Sequence, residues 1–554
     1  MSEAPKGFKS FLTSMPIWLK DKLFLKETLA REFKSLYEEL NPNFEEKVYK
    51  NFKIDILKKI MFGEHHQSHA SSAFYPSPYK EAAILTIDGV GEWTTTSLAY
   101  GNGNKIKFLE EIHFPHSLGL LYSAFTYYAG FKVNSGEYKV MGLAPYGKPI
   151  YSKLIKEHLI DIKEDGSFKL DMSYFNYTTG LTMTNKKFHK LFGAPPRKME
   201  SKLTQKEMNL AASIQHITEE IIIKLAKHAK EVTKSKNLCL AGGVALNCVA
   251  NGKLLEEKIF DNIWIQPAAG DAGGSLGGAY ALYYQELQNE RKIDSNEFDK
   301  MQGSYLGPKF SENEIREYLD KVNAKYQFIE DEDKLIDIVS SEIANEKVIG
   351  WHYDRMEFGP RALGHRSILG DARSKHMQST MNLKIKFRES FRPFAPSVLK
   401  EKVNEWFDLD KNSPYMLFVA HVKRNKCYEI TTEEEKFLGI EKLNLLRSNI
   451  PAVTHIDYSA RIQTVDKEIN SRYYKLISKF EEKTACPIII NTSFNVRGEP
   501  IVCTPQDSYT CFMRTDIDIL IIDNFILYKK VQPKFNDKKN WQDEFKLLIK
   551  TVLL

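Results

Sequence analysis

Several things this 554-residue chain lacks narrow what it can be. Its six cysteines, Cys239, Cys248, Cys427, Cys486, Cys503 and Cys511, are scattered and never fall into a C-x-x-C spacing. That argues against a zinc ribbon or a disulfide framework and favours reduced thiols in a cytoplasmic protein. No apolar run approaches the length that crosses a bilayer. The first sixty residues hold no charged start followed by an apolar stretch and a small-residue cleavage site, so they do not read as a secretory signal. Charge of one sign is scarce too: 78 basic against 72 acidic residues leave +6. Over this length that excess is too small for a nucleic-acid-binding chain, although it leaves room for local anion pockets. What is present, 42% hydrophobic and 27% charged residues, is ordinary for a globular protein, and the length calls for two or three domains.

At the start, Phe8, Phe11, Leu12, Met15, Trp18, Leu19, Leu23 and Phe24 lie among lysines as a basic amphipathic helix. Such a face is expected to pack under the first domain rather than lie on a membrane surface. Next comes Gly63-Glu64-His65-His66-Gln67-Ser68-His69-Ala70, then an apolar run ending Leu85-Thr86-Ile87-Asp88-Gly89. If residues 62–73 are helical, His65 and His69 are four apart and share one face, as two imidazoles on one metal must. Asp88, at the end of a strand-like run, can bring a carboxylate to the same point. Two imidazoles and a carboxylate with open positions suit a divalent transition metal such as Fe(II) or Zn(II), with Mn(II) a further option. The spacing alone also fits histidines that cap or fill a core.

From Glu81 to Gly101 the chain reads as two strands joined by a glycine turn, the second entered at Thr94 to Ser97. Residues Ser117 to Phe125 are apolar at helical spacing, and Ser135 to Gly147 is expected to be loop because it holds too many glycines for a helix. The polar, Tyr- and Phe-rich residues 149–198 look like an insertion. Residues 203–232 then predict a long helix with Met208, Ala211, Ala212, Ile214, Ile217, Ile221 and Leu225 near one face. Two glycine-punctuated units follow, one through Gly242, Gly243 and Asn247, the other through Gly270, Asp271, Gly273 and Gly274. Each is a buried strand running into glycines and then a helix, the arrangement in which backbone N–H groups and a helix N-terminus meet phosphate. Asp271 is also placed to join His65, His69 and Asp88 as a metal ligand.

A charged linker near 285–300 divides the chain, and Tyr305 to Glu314 opens a second domain with a turn and a helix cap. That half holds the densest set of cations: Arg361 and Arg366 around glycine turns, Lys386, Arg392, and Arg461 after Asp457. Arginine's planar fork matches phosphate and carboxylate bidentately, so with Asn491 and Ser493 at the end of an apolar strand these residues read as a small-anion pocket. For any single arginine the alternative is a structural bridge between loops.

Taken together, Glu64-His-His-Gln-Ser-His-Ala, Leu85-Thr-Ile-Asp-Gly-Val-Gly-Glu-Trp, Ser135-Gly-Glu-Tyr-Lys-Val-Met-Gly-Leu-Ala-Pro-Tyr-Gly, Ala241-Gly-Gly-Val-Ala-Leu-Asn and Met356-Glu-Phe-Gly-Pro-Arg-Ala-Leu-Gly resemble the O-carbamoyltransferase family. That family includes the tobramycin, cephem and nodulation-factor carbamoyltransferases, and the likeness runs in order from about Phe62 to Leu527. The resemblance implies an α/β protein with an actin-like ATPase (ribonuclease H-like, ASKHA) domain at 61–300 and a YrdC-like domain at 301–554, after an N-terminal segment at 1–60. It implies that carbamoyl phosphate and ATP, with Mg(II), form a carbamoyl-adenylate whose carbamoyl group passes to a hydroxyl of a sugar-type acceptor. Carried over by motif, His65, His69, Asp88 and Asp271 hold the metal, most often Fe(II). Gly242, Gly243 and Asn247 form the nucleotide turn, and Arg361, Arg366, Lys386, Arg392, Arg461, Asn491 and Ser493 bind carbamoyl phosphate and adenylate. No nucleic-acid partner or transmembrane segment is expected. The family's usual first strand, with its Asp and His, is not recognisable before Ile60: Asp21 and Asp55 do not match it, and no histidine precedes His65. The general base is therefore unassigned, and either a missing N-terminal segment, a partner chain supplying the strand, or a different base accounts for the gap. The rivals are a hydrogenase-maturation type of carbamoyltransferase, whose zinc-finger spacing is absent here, and a non-catalytic protein that binds nucleotide or carbamoyl phosphate.

Overall fold

The structure, a computed structural model, describes residues 8–19, 23–40, 57–293, 299–388, 391–431, 434, 437 and 439–535. Two compact units emerge, one comprising Met1–Glu64, Met172–Pro195 and Lys539–Leu554, the other His65–Asp171 and Pro196–Lys538. In the first, the expected N-terminal helix forms at Phe8–Ile17, followed by a helix at Leu25–Leu40. Of the apolar residues read from sequence as one helical face, Phe11, Trp18, Leu19, Leu23 and Phe24 are exposed, and the helix ends at Ile17. Asp21 and Asp55 lie outside the described residues, and among the described residues none before Glu81 is in a strand.

The second unit holds both stretches that carry the chemistry. Its first sheet is built from β1 (Glu81–Ile87), β2 (Thr94–Asn102) and β3 (Lys105–His113), and a small ribbon of β4 (Ile160–Ile162) with β5 (Phe168–Leu170) stands apart. With β6 (Asn237–Ala241) and β7 (Asn262–Ile265) the order is β3-β2-β1-β6-β7. The hairpin read from Glu81 is present as antiparallel β1 and β2, while β6 and β7 run parallel to β1. Parallel strands need both faces covered. The helix Gln205–Thr233 supplies one cover, with Ile214, Ile217 and Ile221 fully buried, and it starts at a Thr204–Glu207 capping box.

Residues 135–147 correct the expectation of loop. They form a helix at Glu137–Leu143 and a 3-10 turn at Ala144–Tyr146. The glycines were misleading because two of them bound the helix instead of breaking it. The Glu137 carboxylate accepts the N–H groups of Asn134 and Gly136 at 3.0 Å, closing the first turn, while Val140 and Leu143 are fully buried. Gly147 ends it where a Cβ would strike the carbonyl of Met208.

The larger sheet contains β8 (Gln327–Phe328), β9 (Ile349–His352), β10 (Arg366–Asp371), β11 (Ala395–Leu399), β12 (Phe418–His421), β13 (Ser459–Val465), β14 (Ile488–Ser493), β15 (Ile519–Ile522) and β16 (Phe525–Tyr528). Their order is β12-β13-β11-β14-β10-β9-β15-β16-β8, so the architecture is mixed α/β with two substantial sheets. The fully buried Ile488, Ile489 and Ile490 place β14 inside this sheet, antiparallel to β10 on one side and β11 on the other. Within the segment read as a charged linker, Arg291 lies 4.3 Å over the Phe74 ring and donates to the carbonyls of Phe74, Ser77 and Tyr79.

Candidate metal centre and anion cavity

The first cluster grows out of two turns. Helix His65–Phe74 begins at His65, whose N–H donates to the Glu92 carboxylate at 3.1 Å, an acid at the positive end of a helix. Asp88 follows the last residue of β1, and its Oδ1 accepts the Gly243 N–H at 2.7 Å. That donor is in reach because Gly242 holds φ +89°, with a Cβ position that would fall on the Ile87 carbonyl. The paired glycines after β6, read from sequence as a phosphate turn, therefore orient a carboxylate in this structure. Gly242→Ala is expected to destabilise the fold by about 1–3 kcal/mol through backbone strain. Denaturant unfolding checks this, and bound metal should fall in parallel as Asp88 is displaced.

His65 Nε2 lies 3.0 Å from His69 Nε2 and 3.0 Å from Asp88 Oδ2. Asp271 Oδ1 lies 3.6 Å from His65 Nε2 and 3.7 Å from His69 Nε2. The four ligand atoms are all within 4.8 Å of one another. Ligands about 2.1 Å from one ion in tetrahedral or octahedral positions sit roughly 3.0–3.4 Å apart, close to these separations. Two imidazole nitrogens facing each other share at most one proton, whereas a single cation would satisfy both, so the donor set fits a divalent metal. His69 is buried and Asp271 largely exposed, so the cluster is closed on one side and open on the other.

The electrostatics follow the same contacts. The hydrogen bond to Asp88 raises the His65 imidazole against the opposing effect of burial. Burial alone would raise the Asp88 carboxyl, but hydrogen bonds from His65, His69 and the Gly243 amide hold it far below the usual carboxylate range. His66 stays out of the cluster: its Nδ1 bonds Thr86 Oγ1 at 2.6 Å, and burial lowers its imidazole to about 4.

The second site is a cavity of about 160 Å³ whose walls come from helix Glu137–Leu143, from the start of helix Cys248–Glu256 and from loops and strand ends of the larger sheet. Arg361, Arg392, Arg461, Asn491 and Ser493 all line it. The Nε atoms of Arg361 and Arg461 are buried without a hydrogen-bond partner, and Arg392 stacks on the Tyr138 ring at 4.5 Å. Burial, then the neighbouring Arg461 and Arg392 charges, push the Arg361 guanidinium down to about 9. An anion in the cavity would relieve that repulsion and fill the open donors.

Three of the residues read from sequence stand elsewhere. Arg366 is fully buried and donates to the carbonyls of Tyr353, Cys503, His365 and Pro308, a bridge between loops that does not line the cavity. Lys386 Nζ donates to the Ser493 and Asn495 carbonyls at 2.7 Å and to Asn495 Oδ1 at 2.6 Å, behind the wall that Ser493 forms. Asn247 caps the next helix through the Ala250 N–H and exchanges hydrogen bonds with Gln215. Conversely, Arg388, His455, Asp457 and Tyr138 line the cavity and were not singled out from sequence. His455 Nδ1 lies 3.5 Å from Asp457 Oδ1, an His-x-Asp pair just ahead of Arg461 that the sequence displays.

The chain matches the family described as carbamoyltransferase N-terminus over residues 1–280 and carbamoyltransferase C-terminus over residues 340–529. The match runs through residues 1–60, the stretch expected from sequence to depart from the family. An uncharacterized protein of Synechocystis sp. is 58% identical over 546 residues, covering 98% of this chain and 86% of that protein. Nodulation protein NolNO of Sinorhizobium fredii is 36% identical over 520 residues, 93% of this chain and 68% of that one. Nodulation protein NolO of Bradyrhizobium diazoefficiens is 35% identical over 469 residues, 84% and 79% respectively.

Proposed function

Since this chain belongs to the carbamoyltransferase family and is an enzyme of that family, we propose that it is an ATP-dependent O-carbamoyltransferase acting on a hydroxyl of a sugar or sugar-containing metabolite. The donor in this reading is carbamoyl phosphate, activated through carbamoyl-adenylate. The observation that carries it is the arginine cavity, in which Arg361 and Arg461 each leave a buried Nε donor open and Arg392 lines the same space.

Carbamate is a poor electrophile, and joining it to AMP as a mixed anhydride supplies a leaving group. Water releases carbamate and phosphate from carbamoyl phosphate; a carbamate oxygen then attacks the α-phosphorus of ATP and pyrophosphate departs. Guanidiniums fixed around the cavity neutralise the charge that grows on the phosphate oxygens as these bonds break. In the last step the acceptor hydroxyl attacks the carbamoyl carbon, its proton passes to a base, and AMP leaves.

His65, His69, Asp88 and Asp271 would hold a divalent metal, Fe(II) foremost, which when bound supplies Lewis acidity toward a carbonyl or phosphate oxygen. Asp88, kept ionised by its hydrogen bonds, would offset the cation's charge, and the exposed Asp271 marks the open side of that centre, from which an acceptor would approach. We assign the transfer step to residues 61–300, an actin-like domain, and carbamoyl-adenylate formation to residues 301–554, a YrdC-like domain. Among the described residues no helix is long and apolar enough to cross a membrane, which is compatible with the cytoplasmic site proposed here.

The test is incubation with carbamoyl phosphate, Mg-ATP and a panel of sugars in the presence of Fe(II), Zn(II) or Mn(II). Carbamoyl-phosphate-dependent pyrophosphate release and a carbamoylated sugar are expected. Pyrophosphate absent under every metal would overturn the reading.

A further inference from the structure

We propose that the side-chain oxygen of Asn491 reads the amino group of the carbamoyl moiety and thereby selects carbamoyl phosphate over acyl phosphates of the same shape, such as acetyl phosphate. The inference rests on the reading that the arginine cavity takes carbamoyl phosphate.

Asn491 sits near the end of β14, between Leu369 of β10 and Ala395 of β11, so its backbone is held from both sides. The residue is 0% exposed yet lines the cavity. Its amide orientation follows from its neighbours. Gln463 Nε2 donates to the Leu363 carbonyl at 2.8 Å, and a carbonyl can only accept, so Gln463 must present its Oε1 on the other side. That Oε1 receives the Asn491 Nδ2 at 2.8 Å and the Ser397 hydroxyl at 2.6 Å; Ser397 in turn accepts from Tyr473 at 2.9 Å. Turning the Asn491 amide over would set two oxygens against each other in a buried network. Its Oδ1 is thereby left as an acceptor, buried and without a partner.

An unpartnered acceptor is out of place in a pocket built for a bare anion. Arg361, Arg392 and Arg461 offer donors only, and phosphate oxygens need donors only. A carbamoyl group differs from acetyl by an NH2 in place of CH3, and that NH2 is a pair of donors needing an acceptor. A site built to hydrogen-bond a substrate N–H rejects the analogue lacking it far more strongly than a size difference would, because its own buried polar group is then stranded. Gln463 acts as the positioning residue, since it fixes which end of the Asn491 amide meets the substrate.

The experiment uses the full chain and titrates carbamoyl phosphate and acetyl phosphate against wild type, Asn491→Leu and Gln463→Met. Wild type is expected to bind acetyl phosphate about a hundredfold or more weaker than carbamoyl phosphate. Asn491→Leu should lose about that factor for carbamoyl phosphate while keeping its acetyl phosphate affinity, which also reports an intact cavity; Gln463→Met should show part of the same collapse in preference. Equal binding of the two compounds to wild type overturns the inference without any variant. So does an Asn491→Leu protein that keeps the preference, or one that weakens both ligands equally. A shift confined to the KM for ATP assigns the acceptor to the adenine amino group and overturns it too. Should wild type bind neither compound, the cavity reading itself falls, and the inference with it. Should Asn491→Leu fail to fold, Gln463→Met, read through the same pair of ligands, decides.

Discussion

Arg361→Ala should reduce carbamoyl-phosphate-dependent phosphate release to about a hundredth to a thousandth of wild type while leaving bound metal at the wild-type level. Removing one pre-oriented donor to developing charge costs about 100- to 1000-fold, and the Arg361 guanidinium is disfavoured by burial and then by its like-charged neighbours. Those neighbours lower its own affinity for the proton, and the same field is what a substrate anion would feel as attraction. Arg361→Lys should not restore activity, because a point charge cannot reproduce a planar fork. The comparison that gives the result meaning is Arg366→Ala. That change removes the guanidinium from four backbone carbonyls, of which only His365 and Pro308 also receive a backbone N–H, from Tyr353 and Met356, so it should lower thermal stability broadly and take metal binding with it. Phosphate release, elemental analysis and thermal unfolding on the two variants separate a ligand-binding arginine from a structural one. Equal metal loss in both would show that Arg361 is structural.

Asp88→Asn should give the opposite separation, with metal content below about a tenth of wild type, transfer to the acceptor lost, and pyrophosphate release from carbamoyl phosphate and ATP retained. The substitution keeps an oxygen for the Gly243 N–H, so the turn after β1 should hold. What disappears is the charge that faces both imidazoles, His65 at 3.0 Å and His69 at 3.6 Å. A neutral amide neither offsets a divalent cation nor fixes the imidazole tautomers. Elemental analysis, a pyrophosphate assay and detection of carbamoylated acceptor read the three arms. Loss of pyrophosphate release together with metal would mean that the two half-reactions share one centre, contrary to their assignment to different residues.

How much of this was legible from sequence differs between the two sites for a physical reason. His65 and His69 are four apart on a helix, a relation that sequence spacing fixes once the helix forms, and Asp88 terminates a strand whose apolar run announces its end. Asp271 needed the parallel pairing of β1, β6 and β7 to arrive beside them, which only a whole-fold pattern could supply. Arginines carry no such periodic cue. Arg361 and Arg366 stand five apart in one glycine-rich stretch, yet one opens its Nε to a cavity and the other is engaged by four carbonyls, a difference decided by loops near Pro308 and Cys503. The glycines of 135–147 read as breakers because composition does not say which of them bounds a helix. Asn491 was visible as a polar residue ending an apolar strand. The orientation of its amide was not, since it depends on Gln463, 28 residues earlier on β13.

Tyr138 and its helix give the cavity one wall and Cys248 and Val249 add to it, but its arginines all come after residue 360, and Tyr146 donates to the Phe391 carbonyl across 245 positions of chain. On the ribosome that separation becomes a delay. At about 5–20 residues per second, roughly 10–50 s pass between the emergence of Tyr146 and that of the partner it will hold. During that interval the first sheet can close over its own core, but the arginines that would draw in a phosphate ester have not been made. A chain stopped late in that interval would carry His65, His69, Asp88 and Asp271 but not the full set of cavity arginines, so the steps proposed for those arginines would have to wait for the end of synthesis.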